Sequence, residues 1–133
     1  MTASRLIDRL ANAIACQEGW FDPIVDGKEN RPQQLNNPGD IEYAGQYAAT
    51  RDTATGFAKW PTPEAGILGL YRDLYAKIQT GMSLQTLINT WAPPTGNNTA
   101  VYLSNVQKWT GVLGAAVDVP LVTMIEQLQD PRV

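Results

Sequence analysis

Apolar residues recur every three or four positions through most of this 133-residue chain, and the pattern lapses at length only between Trp20 and Pro61. That interruption limits the fold to helices around one extended insert. A first helix is expected from about Thr2 or Ser4 to Glu18, with Leu6, Ile7, Leu10, Ala13 and Ile14 on one face. Gly19 ends it as a left-handed cap glycine would. The stretch that follows is rich in Gly, Pro, Asn, Asp and Thr. Within it Asp40-Ile41-Glu42-Tyr43 and Gly56-Phe57-Ala58-Lys59-Trp60 alternate polar and apolar side chains, so they are expected to pair as a small antiparallel sheet. Tyr47 to Thr55 then forms the connecting loop.

Helical order returns at Thr62-Pro63-Glu64, where Thr suits the N-cap, Pro the first helical position and Glu the positive end of the dipole. The face Ile67, Leu70, Tyr71, Leu74, Tyr75, Ile78 carries this helix to about Gln79. Ser83 caps a short helix bearing Leu84, Leu87, Ile88 and Trp91, which Ala92-Pro93-Pro94-Thr95-Gly96 breaks. Asn97 or Asn98 caps the next, with Val101, Tyr102, Val106 and Trp109, ending near Gly111. A last helix, roughly Pro120 to Gln129, is expected to bury Leu121, Met124, Ile125 and Leu128. The expected class is α+β, mainly α-helical, in a single domain over residues 1–133.

Charge and residue usage narrow the chemistry. A net charge of −3 and a pI near 4.8 offer no basic face for nucleic acid. No apolar run approaches the length of a membrane span, and the N-terminus lacks the layout of a signal peptide. Histidine is absent and Cys16 is the one cysteine. An internal disulfide, a Ser-His or Cys-His dyad and a His-based zinc site are therefore excluded. Carboxylates, hydroxyls, amides and aromatics remain. Cys16 reads as a packing residue, and Arg5, Asp8 and Arg9 as a solvated helix face.

Glu18 is the acid that stands out. Continuing the apolar stripe by four from Ile14 lands on it, and Trp20 and Phe21 follow at once. A carboxyl half-buried beside aromatics holds its proton to higher pH, as a general acid must. The structural alternative is a boundary glutamate that reaches water or pairs with an arginine.

Taken in order, Gln17-Glu18-Gly19-Trp20, Asn36-Asn37-Pro38-Gly39-Asp40-Ile41, Gly56-Phe57-Ala58-Lys59-Trp60 with Pro63-Glu64-Ala65-Gly66, Trp91-Ala92-Pro93-Pro94 and Asn98-Thr99-Ala100-Val101-Tyr102 form a distinctive series. The series resembles the lysozyme-like, soluble-lytic-transglycosylase-like domains of phage and prophage proteins, over about Leu6 to Val112. The resemblance implies a lysozyme-like fold with its small sheet beside the active-site cleft. It also implies cleavage of the β-1,4 bond between N-acetylmuramic acid and N-acetylglucosamine in bacterial peptidoglycan. No cofactor or metal is implied. Such a protein acts on the cell wall, from the virion alongside other virion proteins or from the host cytoplasm or periplasm as an endolysin.

Carried over, Glu18 matches the family's catalytic acid and Tyr102 the tyrosine whose hydroxyl lies near it. The Asn36 to Ile41 segment matches the strand entry beside the cleft, and Trp91 to Gly96 a loop lining the sugar site. The family pattern has Asn where this chain has Asp40. A hydrolase needs a second carboxylate, for which Asp22, Asp26, Asp40, Glu42 and Asp52 are candidates. A lytic transglycosylase needs one acid, because the sugar's 6-hydroxyl attacks. Asp40 is either that second acid or a turn residue. Asn36 and Asn37 either bind N-acetyl groups or hold the turn through their own side chains. Tyr43 and Tyr47 flank a turn and are candidates for an exposed cleft position. Trp60, Tyr71, Tyr75 and Trp109 are expected in the core, and Trp91 suits either a core or a sugar platform. A non-catalytic virion protein that binds glycan or merely assembles is the alternative from another class.

Overall fold

The amphipathic stripe at the N-terminus forms helix α1, Ala3–Gln17, in a computed structural model that describes residues 2–129. The described residues are mainly helical, with one small antiparallel sheet, an α+β arrangement. The further helices are α2 (Arg31–Gln34), α3 (Pro63–Gln79), α4 (Leu84–Trp91), α5 (Thr99–Thr110) and α6 (Leu121–Gln129). A 3₁₀ turn spans Gly114–Asp118. Strands β1 (Thr50–Arg51) and β2 (Ala58–Lys59) pair with Thr50 opposite Lys59 and Arg51 opposite Ala58. Two compact units divide the chain, Met1–Ala13 with Leu74–Val133, and Ile14–Asp73.

In the first unit α4 packs on α5 and on the 3₁₀ turn. Its buried side chains are Leu6, Ile7 and Leu10 of α1, Leu74 and Ile78 of α3, Leu84, Leu87 and Ile88 of α4, Tyr102 and Val106 of α5, and Leu121. The caps follow local chemistry. Ser83 accepts from the Thr86 amide, Asn98 from the Val101 amide, and Gly111 closes α5 at φ 77°. Asn97 instead donates to the Pro93 carbonyl, and the Thr99 hydroxyl to the Ala92 carbonyl. The Leu121 amide donates to the Met82 carbonyl, tying the start of α6 to the start of α4.

The apolar faces of the later helices differ from expectation. On α5 the buried row is Tyr102, Val106 and Thr110, a four-residue spacing that turns Trp109 outward, 54% exposed rather than in the core. On α6 Leu121 is buried, while Met124, Ile125 and Leu128 are half-buried. On α3 Ile67 and Tyr75 are exposed, because the buried face runs through two glycines that an apolar count overlooks.

Those glycines belong to the second unit. A Cβ on Gly66 would stand 1.7 Å from the Asn36 carbonyl oxygen, and one on Gly69 would stand 2.3 Å from Cζ2 of the buried Trp60. Glycine lets the helix touch both. The sheet of this unit is shifted from expectation. Residues 41–43 meet 56–58 through a single bridge, Glu42 to Phe57, flanked by bonds from the Ala58 amide to Ile41 and from the Tyr43 amide to Gly56. The regular ladder forms with Thr50–Arg51, inside the expected connecting loop. Asp52 closes that hairpin, its Oδ2 accepting from both the amide and the hydroxyl of Thr55.

Gly66→Ala is expected to destabilise the protein by about 2–3 kcal/mol despite alanine's better helix propensity, since the obstacle is backbone. Thermal unfolding should register a midpoint roughly 10 °C lower. An unchanged midpoint would contradict the close approach.

Candidate functional site

Glu18 is the C-cap residue of α1. The Trp20 amide donates to the Ala15 carbonyl at 3.0 Å and the Gly19 amide to Cys16 at 3.2 Å, with Gly19 at φ 90°. This is the Schellman pattern, which only a left-handed residue after the cap completes. Glu18 itself is half-buried. Trp20 is half-buried too, but Phe21 is 61% exposed, so Phe21 does not supply the apolar surroundings expected for the acid.

The turn after Glu18 is held from outside. Asn30 Nδ2 donates to the Gly19 carbonyl at 2.7 Å, and its Oδ1 accepts from the Gln33 amide as the N-cap of α2. Gln33 returns the bond, its Oε1 accepting from the Asn30 amide, while its Nε2 donates to the carbonyls of Trp20 and Asp22. This capping box signals α2 in the sequence, as Asn30-x-x-Gln33 just before a Pro-containing turn, yet the expected outline has no helix there.

The first residue of α2, Arg31, is the functional candidate that the sequence reading missed. Its Nε donates to Asp40 Oδ1 at 2.8 Å and its Nη2 to Oδ2 at 2.6 Å, a two-pronged ion pair. The guanidinium also stacks 3.8 Å from the centroid of the Phe57 ring. The hydrogen bond to Asp40 is the main cause holding its pKa above the ordinary value, opposed by burial and aided by the charges of Asp40, Glu18 and Glu42. A raised folded pKa stabilises the folded state up to strong alkali, so Arg31 is a permanent cation here. Three candidate acids therefore share one counter-charge. The partner from Phe57 and Asp40 lies far along the chain, and no local pattern announces it.

Asp40 is a turn residue in this geometry. It sits at φ 48°, a region that Asp and Asn tolerate, and Arg31 occupies both its oxygens.

Asn36 and Asn37 hold the turn. Asn36 follows α2 at φ 51° and donates from Nδ2 to the Trp60 carbonyl at 3.0 Å. Asn37 is fully buried, 0% exposed. Its Nδ2 donates to Ile41 and Ala58 and its Oδ1 accepts from the Ile41 amide, each at 2.9 Å. Both N–H groups of this buried amide are thus spent on the backbone, the turn-holding alternative for Asn37. Tyr43 and Tyr47 are exposed, Tyr47 beneath the Arg72 guanidinium at 4.4 Å.

Trp91 and Tyr102 lie in the other unit. Trp91 ends α4 half-buried, with Lys77 Nζ 5.2 Å from its ring centroid. Tyr102 is buried on α5. Among the described residues no group of His, Cys, Asp and Glu could hold a metal ion, and no helix is long and apolar enough to cross a membrane.

No family model matches the chain, and no curated protein or solved structure matches it.

Two substitutions test the scaffold. Asn37→Asp keeps the acceptor but sets a carboxylate against two carbonyl oxygens. It should cost about 3–4 kcal/mol in chemical denaturation, more than a surface change ever does. Asn30→Ala removes the cap and the Gly19 bond and should cost about 1–2 kcal/mol. Wild-type stability in either variant would refute the corresponding network.

Proposed function

We propose that this chain is a lysozyme-like peptidoglycan-cleaving domain that works as a lytic transglycosylase, with Glu18 as its single general acid and base. The observation that supports one acid rather than two is the state of Asp40. A carboxylate whose two oxygens both accept from Arg31 is poorly placed to attack a sugar or to activate water. Asp52, another candidate, spends Oδ2 on its own turn.

In this reading the protonated Glu18 delivers its proton to the glycosidic oxygen, and the C1–O4 bond of the muramyl residue breaks. The resulting Glu18 carboxylate then takes the proton of the muramyl 6-hydroxyl as that oxygen bonds to C1. A 1,6-anhydro end results, and the acid is regenerated.

The resemblance alone supports sugar-binding roles for Asn36, Tyr43, Trp91 and Tyr102. The second reading, a virion protein that keeps the fold without turnover, draws on the attraction between Arg31 and Glu18, which matches the structural alternative for that acid.

The test is digestion of purified peptidoglycan followed by mass spectrometry of the product ends. Wild type should yield anhydro-muramyl ends. Glu18→Gln should lose at least about a hundredfold in rate, and Asp40→Asn should retain activity within several-fold. Reducing ends, together with loss in Asp40→Asn equal to that in Glu18→Gln, would establish a two-carboxylate hydrolase instead. No release of fragments by wild type would defeat the enzyme reading.

A further inference from the structure

The unit formed by Met1–Ala13 and Leu74–Val133 carries an open cleft of about 460 Å³ lined by Arg9, Asn12, Lys108 and Trp109. Arg9 and Asn12 are three apart on α1 and share a face, and Lys108 and Trp109 come from the last turn of α5. Three features of this lining are unusual together. Trp109 leaves more than half its surface in water, where a large apolar ring gains nothing from the solvent. Arg9 and Lys108 form no ion pair among the described residues, in a chain with three more acids than bases. Asn12 is exposed and adds an amide that both donates and accepts.

Each group selects a feature of the ligand. An exposed indole face matches the apolar C–H face of a pyranose. Two unpaired cations match a carboxylate, and a side-chain amide matches an acetamido group. We propose that this cleft is a second carbohydrate site that binds a carboxylate-bearing N-acetylhexosamine, the chemistry of a muramyl residue. The ligand class rests on the proposed function, but the lining does not include Glu18 and binding does not require turnover. Its effect would be to hold the chain on glycan strands whose muramyl carboxyl groups carry no stem peptide.

The test uses indole N–H resonances of the ¹⁵N-labelled Glu18→Gln protein, in which ligand is not consumed, with Trp109→Phe identifying the Trp109 signal. The titrants are a peptide-free tetrasaccharide alternating N-acetylglucosamine and N-acetylmuramic acid, and neutral chitotetraose. The Trp109 resonance should shift with the first, at least tenfold more weakly with the second, and less at high salt. The Trp60 resonance, whose N–H donates to the Tyr47 carbonyl, should stay in place. Binding by the Arg9→Glu/Lys108→Glu variant should fall at least tenfold while its thermal midpoint stays near that of the parent. Equal response to both sugars, no response at millimolar ligand, or an unaltered double variant would overturn the proposal. Cleavage by wild type without a Trp109 response would sink this site alone, and a response without cleavage would sink the catalytic reading alone.

Discussion

The turn at Gly19 is the constraint on which the candidate site depends. Glu18 is the last residue before the chain leaves the helix, so the position of that turn decides whether the acid stands on α1 or in the following loop. The end point is set twice. Gly19 adopts a left-handed conformation that other residues resist, and Asn30 grips the carbonyl of that same glycine while capping α2. A Cβ at Gly19 would stand 2.9 Å from Asn30 Nδ2, so conformational freedom and close approach call for the same residue. One side chain, Asn30, thus holds the turn after the acid through its Nδ2 and the helix that carries Arg31 through its Oδ1.

Arg31 then organises the charges. It sits between a bidentate carboxylate and an aromatic ring and feels Glu18 and Glu42 as well. An ion pair of this partial exposure adds little to stability, of the order of 1 kcal/mol or less. Its consequence is chemical: it commits both oxygens of Asp40. The buried amide of Asn37 does the matching work for the backbone, satisfying three main-chain groups that a turn buried against a helix would otherwise leave without partners.

Much of the helical framework was legible in local pattern. Gly19, Ser83, Asn98 and Gly111 end or begin helices where capping chemistry says they should. The insert was less legible. Strand β1 hid in a polar hairpin loop, because a two-residue strand has too few side chains to show alternation. Helix α2 hid because four residues cannot show a period, although its capping box is plain in hindsight. Burial was misjudged where glycines carry the contact, as on α3, or where the buried row runs one position to the side, as at Trp109.

What the sequence by itself determined is the inventory: no histidine, a lone cysteine, an acid at the end of an amphipathic helix, and the order of helices around one extended insert. These follow from residue chemistry and from periods shorter than two helical turns. Tertiary structure alone decided which groups have partners. Asp40 meets Arg31 across nine residues, Asn37 reaches Ala58 across twenty-one, and Gly66 lies against the Asn36 carbonyl. Such pairings depend on chain closure over distances that no local period records. They hold Asp40 in an ion pair and Asn37 in backbone bonds, which no reading of either residue alone would show.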